Sequence, residues 1–180
     1  MRLFVGLALP ADIRARLSGL RGGLKGVRWV AEENLHLSLR FIGEVTGGTD
    51  QDIDRALQSV GGAAFELTLS GLGAFDRRGR VHAVWAGIDK SDPLAALRDR
   101  IESALVRIGL EPEHRKFKPH VTLGRLKNGS ADETGRFLES HAGFTAGPIA
   151  VEGFTLFESH LGQGGSHYVS LAEYPLDGET

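Results

Sequence analysis

Residues 118–126 read K-P-H-V-T-L-G-R-L, and residues 34–41 read N-L-H-L-S-L-R-F. Each stretch has the form His, apolar, hydroxyl, apolar, carried by His120 with Thr122 and by His36 with Ser38. Side chains alternate faces along a strand, so in each copy the imidazole and the hydroxyl share one face. Two such copies in 180 residues point to a site built from a pair of histidines. A histidine followed two places on by a hydroxyl is weak by itself: among seven histidines, two hits arise by accident roughly one time in five. Requiring apolar neighbours on both sides of the hydroxyl lowers that to roughly one in a hundred. His82, His114, His141, His160 and His167 fail even the loose test.

Outward from these stretches, the chain has the size of one domain, 1–180, expected to consist of two interleaved lobes. It has no cysteine, which excludes disulfides, thiolate metal sites and a cysteine nucleophile, and suits a reducing cytoplasm. A net charge of -2 argues against a wide non-specific nucleic-acid footprint. A local patch remains, because Arg115, Lys116, Lys118, Arg125 and Lys127 follow one another with no acidic residue between them. The opening M-R-L-F-V-G-L-A-L-P has too short an apolar run for a signal peptide and is closed by Pro10, Asp12 and Arg14. No later segment approaches a membrane span, and a cytoplasmic monomer is expected.

In order, 3–9 reads as a buried strand, and Pro10 opens a helix with Ile13, Leu17 and Leu20 at helical spacing. A short strand at 27–30 precedes the first motif strand, 35–42, where simple alternation puts His36, Ser38 and Arg40 on one face and Phe41 on the other. Thr49 is expected to cap a second helix. Strands at 65–75 and 81–88 form a hairpin through D-R-R-G-R, and S-D-P at 91–93 starts a long helix ended by Gly109. The second motif strand, 119–126, is followed by a weak helical segment over 131–140 and an extended segment over 144–158. The turn L-G-Q-G-G-S and a last strand over 167–174 close the chain. Frequent hairpins favour α+β with antiparallel sheets over a doubly wound parallel sheet. The halves also echo each other at an offset slightly above 80 residues, with Gly-to-Phe endings at 71–75 and 153–157. A pseudo-twofold relation would bring the motif strands face to face across a central groove.

N-L-H-L-S-L-R-F-I-G-E and K-F-K-P-H-V-T-L-G-R, with the opening R-L-F-V-G-L-A-L-P, the R-W-V before the first motif and the hairpin carrying Trp85, resemble the two-histidine phosphoesterases. More narrowly they are similar to the bacterial and archaeal RNA 2',3'-cyclic phosphodiesterases, once called 2'-5' RNA ligases. The resemblance covers most of the chain. It implies a bilobal fold of two antiparallel sheets with helices outside and one motif histidine from each lobe. It also implies hydrolysis of RNA 2',3'-cyclic phosphate ends to 2'-phosphomonoesters, with reverse 2'-5' ligation as a lesser activity. His36 would then be the proton donor to the leaving O3' and His120 the acceptor from water, although symmetry lets the roles exchange. Ser38 departs from the family's usual threonine but keeps the hydroxyl.

Histidine suits both proton transfers because its pKa lies near working pH, and each is worth about 10²- to 10⁴-fold. Ser38, Thr122 and Arg125 are candidate donors to the non-bridging oxygens. Strict alternation turns Arg125 away from His120, so a bulge at Gly124 or reach from the rim is needed for it to join. Arg40 is a candidate by parity, and Phe4 is a candidate base-stacking residue for which the core reading carries the greater weight. No metal-ligand spacing or cofactor motif appears, so no cofactor is expected. A non-catalytic module for RNA ends, and a phosphodiesterase for other cyclic phosphates or 2'-5' linked oligonucleotides, remain open alternatives.

Overall fold

The computed structural model describes residues 1–177, so the last three residues of the expected domain lie outside it. Nine strands and four helices follow in the order β1 (Arg2–Ala8), α1 (Ala11–Ser18), β2 (Arg28–Trp29), β3 (His36–Glu44), α2 (Thr49–Gln58), β4 (Phe65–Arg77), β5 (Arg80–Ile88), α3 (Asp92–Arg107), β6 (His120–Gly129), α4 (Ala131–Ser140), β7 (Thr145–Val151), β8 (Gly153–Gly162) and β9 (Gly165–Pro175). The strands make two antiparallel sheets, β3-β1-β8-β9 and β2-β6-β5-β4-β7. The fold is therefore α+β, as the hairpin signals indicate.

The internal echo is a strand exchange. The units β1-α1-β3-α2-β4 and β5-α3-β6-α4-β8 correspond, yet the third strand of each pairs in the other unit's sheet. β8 lies beside β1, and β4 beside β5. The registers match: Val5 stands opposite Arg40 and Leu156, as Val84 stands opposite Gly124 and Ala74. Phe157 thus stands opposite Phe4 in one sheet where Phe75 stands opposite Ala83 in the other.

The helices bury one stripe each. Ile13 and Leu17, Ile53 and Leu57, Phe137, and Leu94, Leu97, Ile101 and Leu105 join one core with Leu37, Leu39, Val121 and Leu123 from the motif strands. Full burial of a leucine or isoleucine contributes about 1.5–3 kcal/mol, so these stripes hold the motif strands firmly from behind. Ser91 caps α3 by accepting from the Leu94 amide at 3.2 Å, and Ser130 caps α4 by accepting from Glu133 at 3.2 Å. The second cap gives the weakly patterned segment 131–140 its start.

Three local expectations are corrected. Thr49 is the first helical residue of α2 and not its cap; Gly48, with φ 84°, makes the turn into the helix. The segment 144–158 is two strands in different sheets, because the chain leaves its β4 partner at Val151, resumes as β8 from Gly153 and pairs with β1 from Thr155. The alternation in 35–42 breaks after Leu39. Ser38 pairs with Gly6 and Arg40 with Val5, so Leu39 is an extra residue, a bulge, and the faces swap beyond it.

Candidate active site

β6 carries the same irregularity. Thr122 pairs with Trp85 and Gly124 with Val84, leaving Leu123 as the extra residue. One bulge therefore follows the hydroxyl in each motif, and both re-aim what comes next. On β6 it turns Arg125 to the side of His120 and Thr122, which is the bulge that strict alternation demanded. On β3 it turns Phe41 toward the groove, 42% exposed, and drives Arg40 into the protein, 7% exposed. Arg40 is thus not among the groove-lining residues. Its Nε donates to Glu102 at 2.8 Å, and its Nη atoms donate to the carbonyls of Phe41 at 2.6 Å and Glu111 at 2.5 Å.

The two sheets enclose a groove of about 440 Å³, lined by His36, Ser38, His120, Thr122, Arg125 and Arg2 among others. No aspartate or glutamate is among its lining residues. Two guanidiniums and two imidazoles with no facing carboxylate make a place for an anion. Its volume lies in the range for a small-molecule site.

The histidines are held alike. His36 Nδ1 donates to the Asn34 carbonyl at 2.7 Å, and His120 Nδ1 donates to the Lys118 carbonyl at 2.6 Å. A carbonyl can only accept, so each neutral ring carries its proton on Nδ1 and leaves Nε2 as the free base. Ser38 Oγ lies 2.9 Å from His36 Nε2 and donates to it while the ring is neutral. Burial lowers the pKa of both imidazoles. The carbonyl bonds oppose that shift, and the charge of Arg125 reinforces it for both rings, with His120 adding to it for His36.

Aromatic rings fix the imidazoles from the sides. Phe4, 4% exposed, lies 4.9 Å from His36 and stacks on Phe157 at 5.0 Å, so it is the floor of the groove under the histidine. Tyr168 meets His36 edge-on at 4.9 Å. Across the groove Phe75 meets His120 edge-on at 4.9 Å, and Trp85 lies 5.8 Å away. Each histidine therefore borders a phenylalanine from an exchanged strand. Tyr168, Asn34, Ser166 and Arg2 escape sequence reasoning, since only the pairing of β8 with β1 and of β9 with β8 brings the first three together. Asn34 ties the turn to the site by donating to the Ser166 carbonyl at 2.7 Å. The basic run is partly neutralised: Arg115 pairs with Glu113 at 3.2 Å. Among the described residues no group of three or more His, Asp or Glu clusters as metal ligands do.

Two antiparallel sheets that each bring a histidine and a hydroxyl to one anion-receptive groove define the architecture of a two-histidine phosphoesterase. The chain belongs to the 2'-5' RNA ligase superfamily, whose family model matches residues 9–163. It is 35% identical over 164 residues to the RNA 2',3'-cyclic phosphodiesterase of Aeropyrum pernix, covering 88% of this chain and 93% of the relative. It is 32% identical over 179 residues to that of Escherichia coli K12, covering 97% and 96%. Among solved structures, E. coli LigT complexed with 3'-AMP superposes with a TM-score of 0.75 at 30% identity, covering 97% of each chain. A Thermus thermophilus protein superposes with a TM-score of 0.81 at 25% identity over the whole of both chains. No helix among the described residues is long and apolar enough to cross a membrane.

Proposed function

We propose that the protein is an RNA 2',3'-cyclic phosphodiesterase that opens the cyclic phosphate to a 2'-phosphomonoester by acid-base catalysis. The observation that carries this reading is the matched pair of imidazoles, each tethered through Nδ1 with an unprotonated Nε2, in one groove without carboxylates. Relatives across archaea and bacteria that bear this activity in their names support it.

In the proposed reaction water attacks phosphorus in line with the P–O3' bond. His120 Nε2 takes a proton from the water as the new P–O bond forms. The P–O3' bond breaks, and protonated His36 delivers its Nε2 proton to O3'. Ser38, Thr122 and Arg125 donate to the non-bridging oxygens as charge builds there. The lowered pKa of His36 makes it a strong acid once protonated, and the bound phosphate favours that protonation. Protonation also reverses the Ser38 bond. The ring then donates and the serine proton is free for the phosphate. With an RNA 5'-hydroxyl in place of water the same steps join two ends through a 2'-5' linkage, and the reverse, cleavage of that linkage by attack of O3', exchanges the roles of the two histidines. The protein is proposed to act as a monomer on RNA ends in the cytoplasm, in keeping with a cysteine-free chain.

The test is incubation with a 2',3'-cyclic-ended oligonucleotide in EDTA. Turnover to a 2'-phosphate is expected, and neither His36→Ala nor His120→Ala should retain more than about one-hundredth of it. No turnover, or a rate unchanged in His120→Ala, would overturn the reading; a 3'-phosphate product would overturn the assignment of O3' as leaving group.

A further inference from the structure

Beside the central groove lies a second cavity of about 340 Å³. It shares Asn34, Arg125 and Tyr168 with the groove and adds Arg28 and the glycines of the β8–β9 turn. β2 puts Arg28 directly opposite Arg125 of β6. Opposed residues on antiparallel neighbours have Cβ atoms about 4.5–5.5 Å apart, and like charges in that relation repel. Among the described residues neither arginine has an ion-pair or hydrogen-bond partner, and no carboxylate lines this cavity either. Gly165 is part of the same arrangement. Its φ is +112°, and a Cβ there would come within 3.0 Å of the Arg28 Nη2, so the guanidinium lies close along the turn. Two exposed, unneutralised cations held face to face are stabilised by an anion between them.

The flank on the other side of the groove is different. Its arginines Arg98 and Arg115 already pair with Glu102 and Glu113, and the Glu113 carboxylate lines it, although Lys116 and Lys118 line it as well. The proposed chemistry gives a direction as well. O3' leaves toward His36, so the ribose lies toward the sheet that carries His36 and Tyr168, and the β8–β9 turn against which Arg28 lies belongs to that same sheet.

We propose that Arg28, facing Arg125, binds the internucleotide phosphodiester immediately 5' to the cyclic-phosphate nucleotide. The strand 5' to the reacting nucleotide then contributes to binding beyond the cyclic phosphate itself. This inference rests on the proposed function above and assigns a residue to the strand that its RNA substrate carries.

The experiment compares steady-state hydrolysis of 2',3'-cyclic AMP with that of an adenylyl dinucleotide ending in a 2',3'-cyclic phosphate. A guanidinium–phosphate contact corresponds to about a tenfold preference in kcat/KM for the dinucleotide, carried by KM. Arg28→Ala should lower the dinucleotide-to-mononucleotide ratio about tenfold, and Arg28→Lys should restore part of it. The slope of log kcat/KM for the dinucleotide against log salt should fall by about 0.7 in Arg28→Ala, as expected for one lost single-strand phosphate contact. Hydrolysis of the mononucleotide reports that each variant is folded. A ratio near one in the wild type, or a ratio untouched by Arg28→Ala, overturns the inference while leaving the enzyme reading intact. Collapse of the ratio in Lys116→Ala with Arg28→Ala silent overturns it too, since the strand then runs along the opposite flank. If neither substrate turns over, the function on which the inference rests fails first.

Discussion

Replacing Arg40 by methionine tests how the site is held from beneath. Arg40 is 7% exposed and Glu102 15%, and the pair is joined at 2.8 Å. The same guanidinium serves the carbonyls of Phe41 and Glu111, and Glu102 accepts from the Glu113 amide at 3.3 Å. Removing one partner of a buried pair typically costs about 3–5 kcal/mol. Glu102 keeps some exposure and a second cation, Arg98 at 3.5 Å, so the lower end, about 3 kcal/mol, is expected. For a chain of this length that lowers Tm by roughly 6–12 °C. The pH dependence distinguishes a lost ion pair from lost packing. In the wild type, burial pushes the Glu102 carboxyl up, but the hydrogen bond from Arg40 and the other favourable contacts outweigh it and hold the pKa below its ordinary value. Its stabilisation is therefore present above the unfolded pKa and lost as pH falls through the lower folded one. Without Arg40 burial prevails, the pKa rises, and protonation at low pH relieves the penalty. Thermal unfolding followed by circular dichroism should show the gap between wild type and variant narrowing from pH 7.5 to pH 4.5. A loss of less than about 2 °C at pH 7.5, or a gap that widens on acidification, would refute the reasoning. Because the Glu111–Glu113 contacts anchor the loop that ends at the Lys118 carbonyl, kcat should also fall several-fold.

Ser38→Ala removes both the partner of His36 Nε2 and a phosphate donor; initial rates should drop about 10²-fold, whereas Ser38→Thr, which keeps the hydroxyl, should remain within a few-fold of wild type. Gly73→Ala puts a Cβ 2.3 Å from the Trp85 ring beside His120, so calorimetry should record a loss of about 1–3 kcal/mol together with reduced turnover. The lowered pKa values of His36 and His120 mean that the unfolded chain takes up protons before the folded one as pH falls below about 6.5. Stability should decline across that interval, and replacing both histidines by glutamine should flatten the decline in denaturant titrations between pH 7.5 and pH 5.

The motif pair, the hairpins and the antiparallel class are legible because each rests on local pattern: alternation, turn residues and helix stops. Arg40 and Arg125 mark the limit. Alternation assigns Arg40 to the groove and Arg125 away from it, and in both cases a single bulged leucine reverses the assignment. Gly124 hints at the second bulge, but Leu39 gives no such sign. It is an ordinary strand residue whose extra place depends on the register of β1, a partner about thirty residues away in the chain. Tyr168 and Asn34 are hidden for the same reason. Their place at the site is fixed by pairings between distant segments that no local window contains. The segment 144–158 shows the converse, since its continuous extended pattern is real but changes sheet at Glu152.

The exchanged strands make the two halves dependent on each other. A cut in the turn between β4 and β5 would leave residues 1–77 with β4 but neither of its partners, β5 and β7. The remaining piece would hold β8 without β1. Neither fragment contains a finished sheet, and each histidine would lose the phenylalanine supplied by the other fragment. Mixing the two pieces should nevertheless rebuild the fold by complementation, since every missing partner is present in the other piece. In the intact chain these long-range pairings carry a large loop-closure cost before they contribute, so assembly is expected to be slow and all-or-none. Catalytic activity then serves as a reporter of global folding: a half-folded molecule has, at most, half a site.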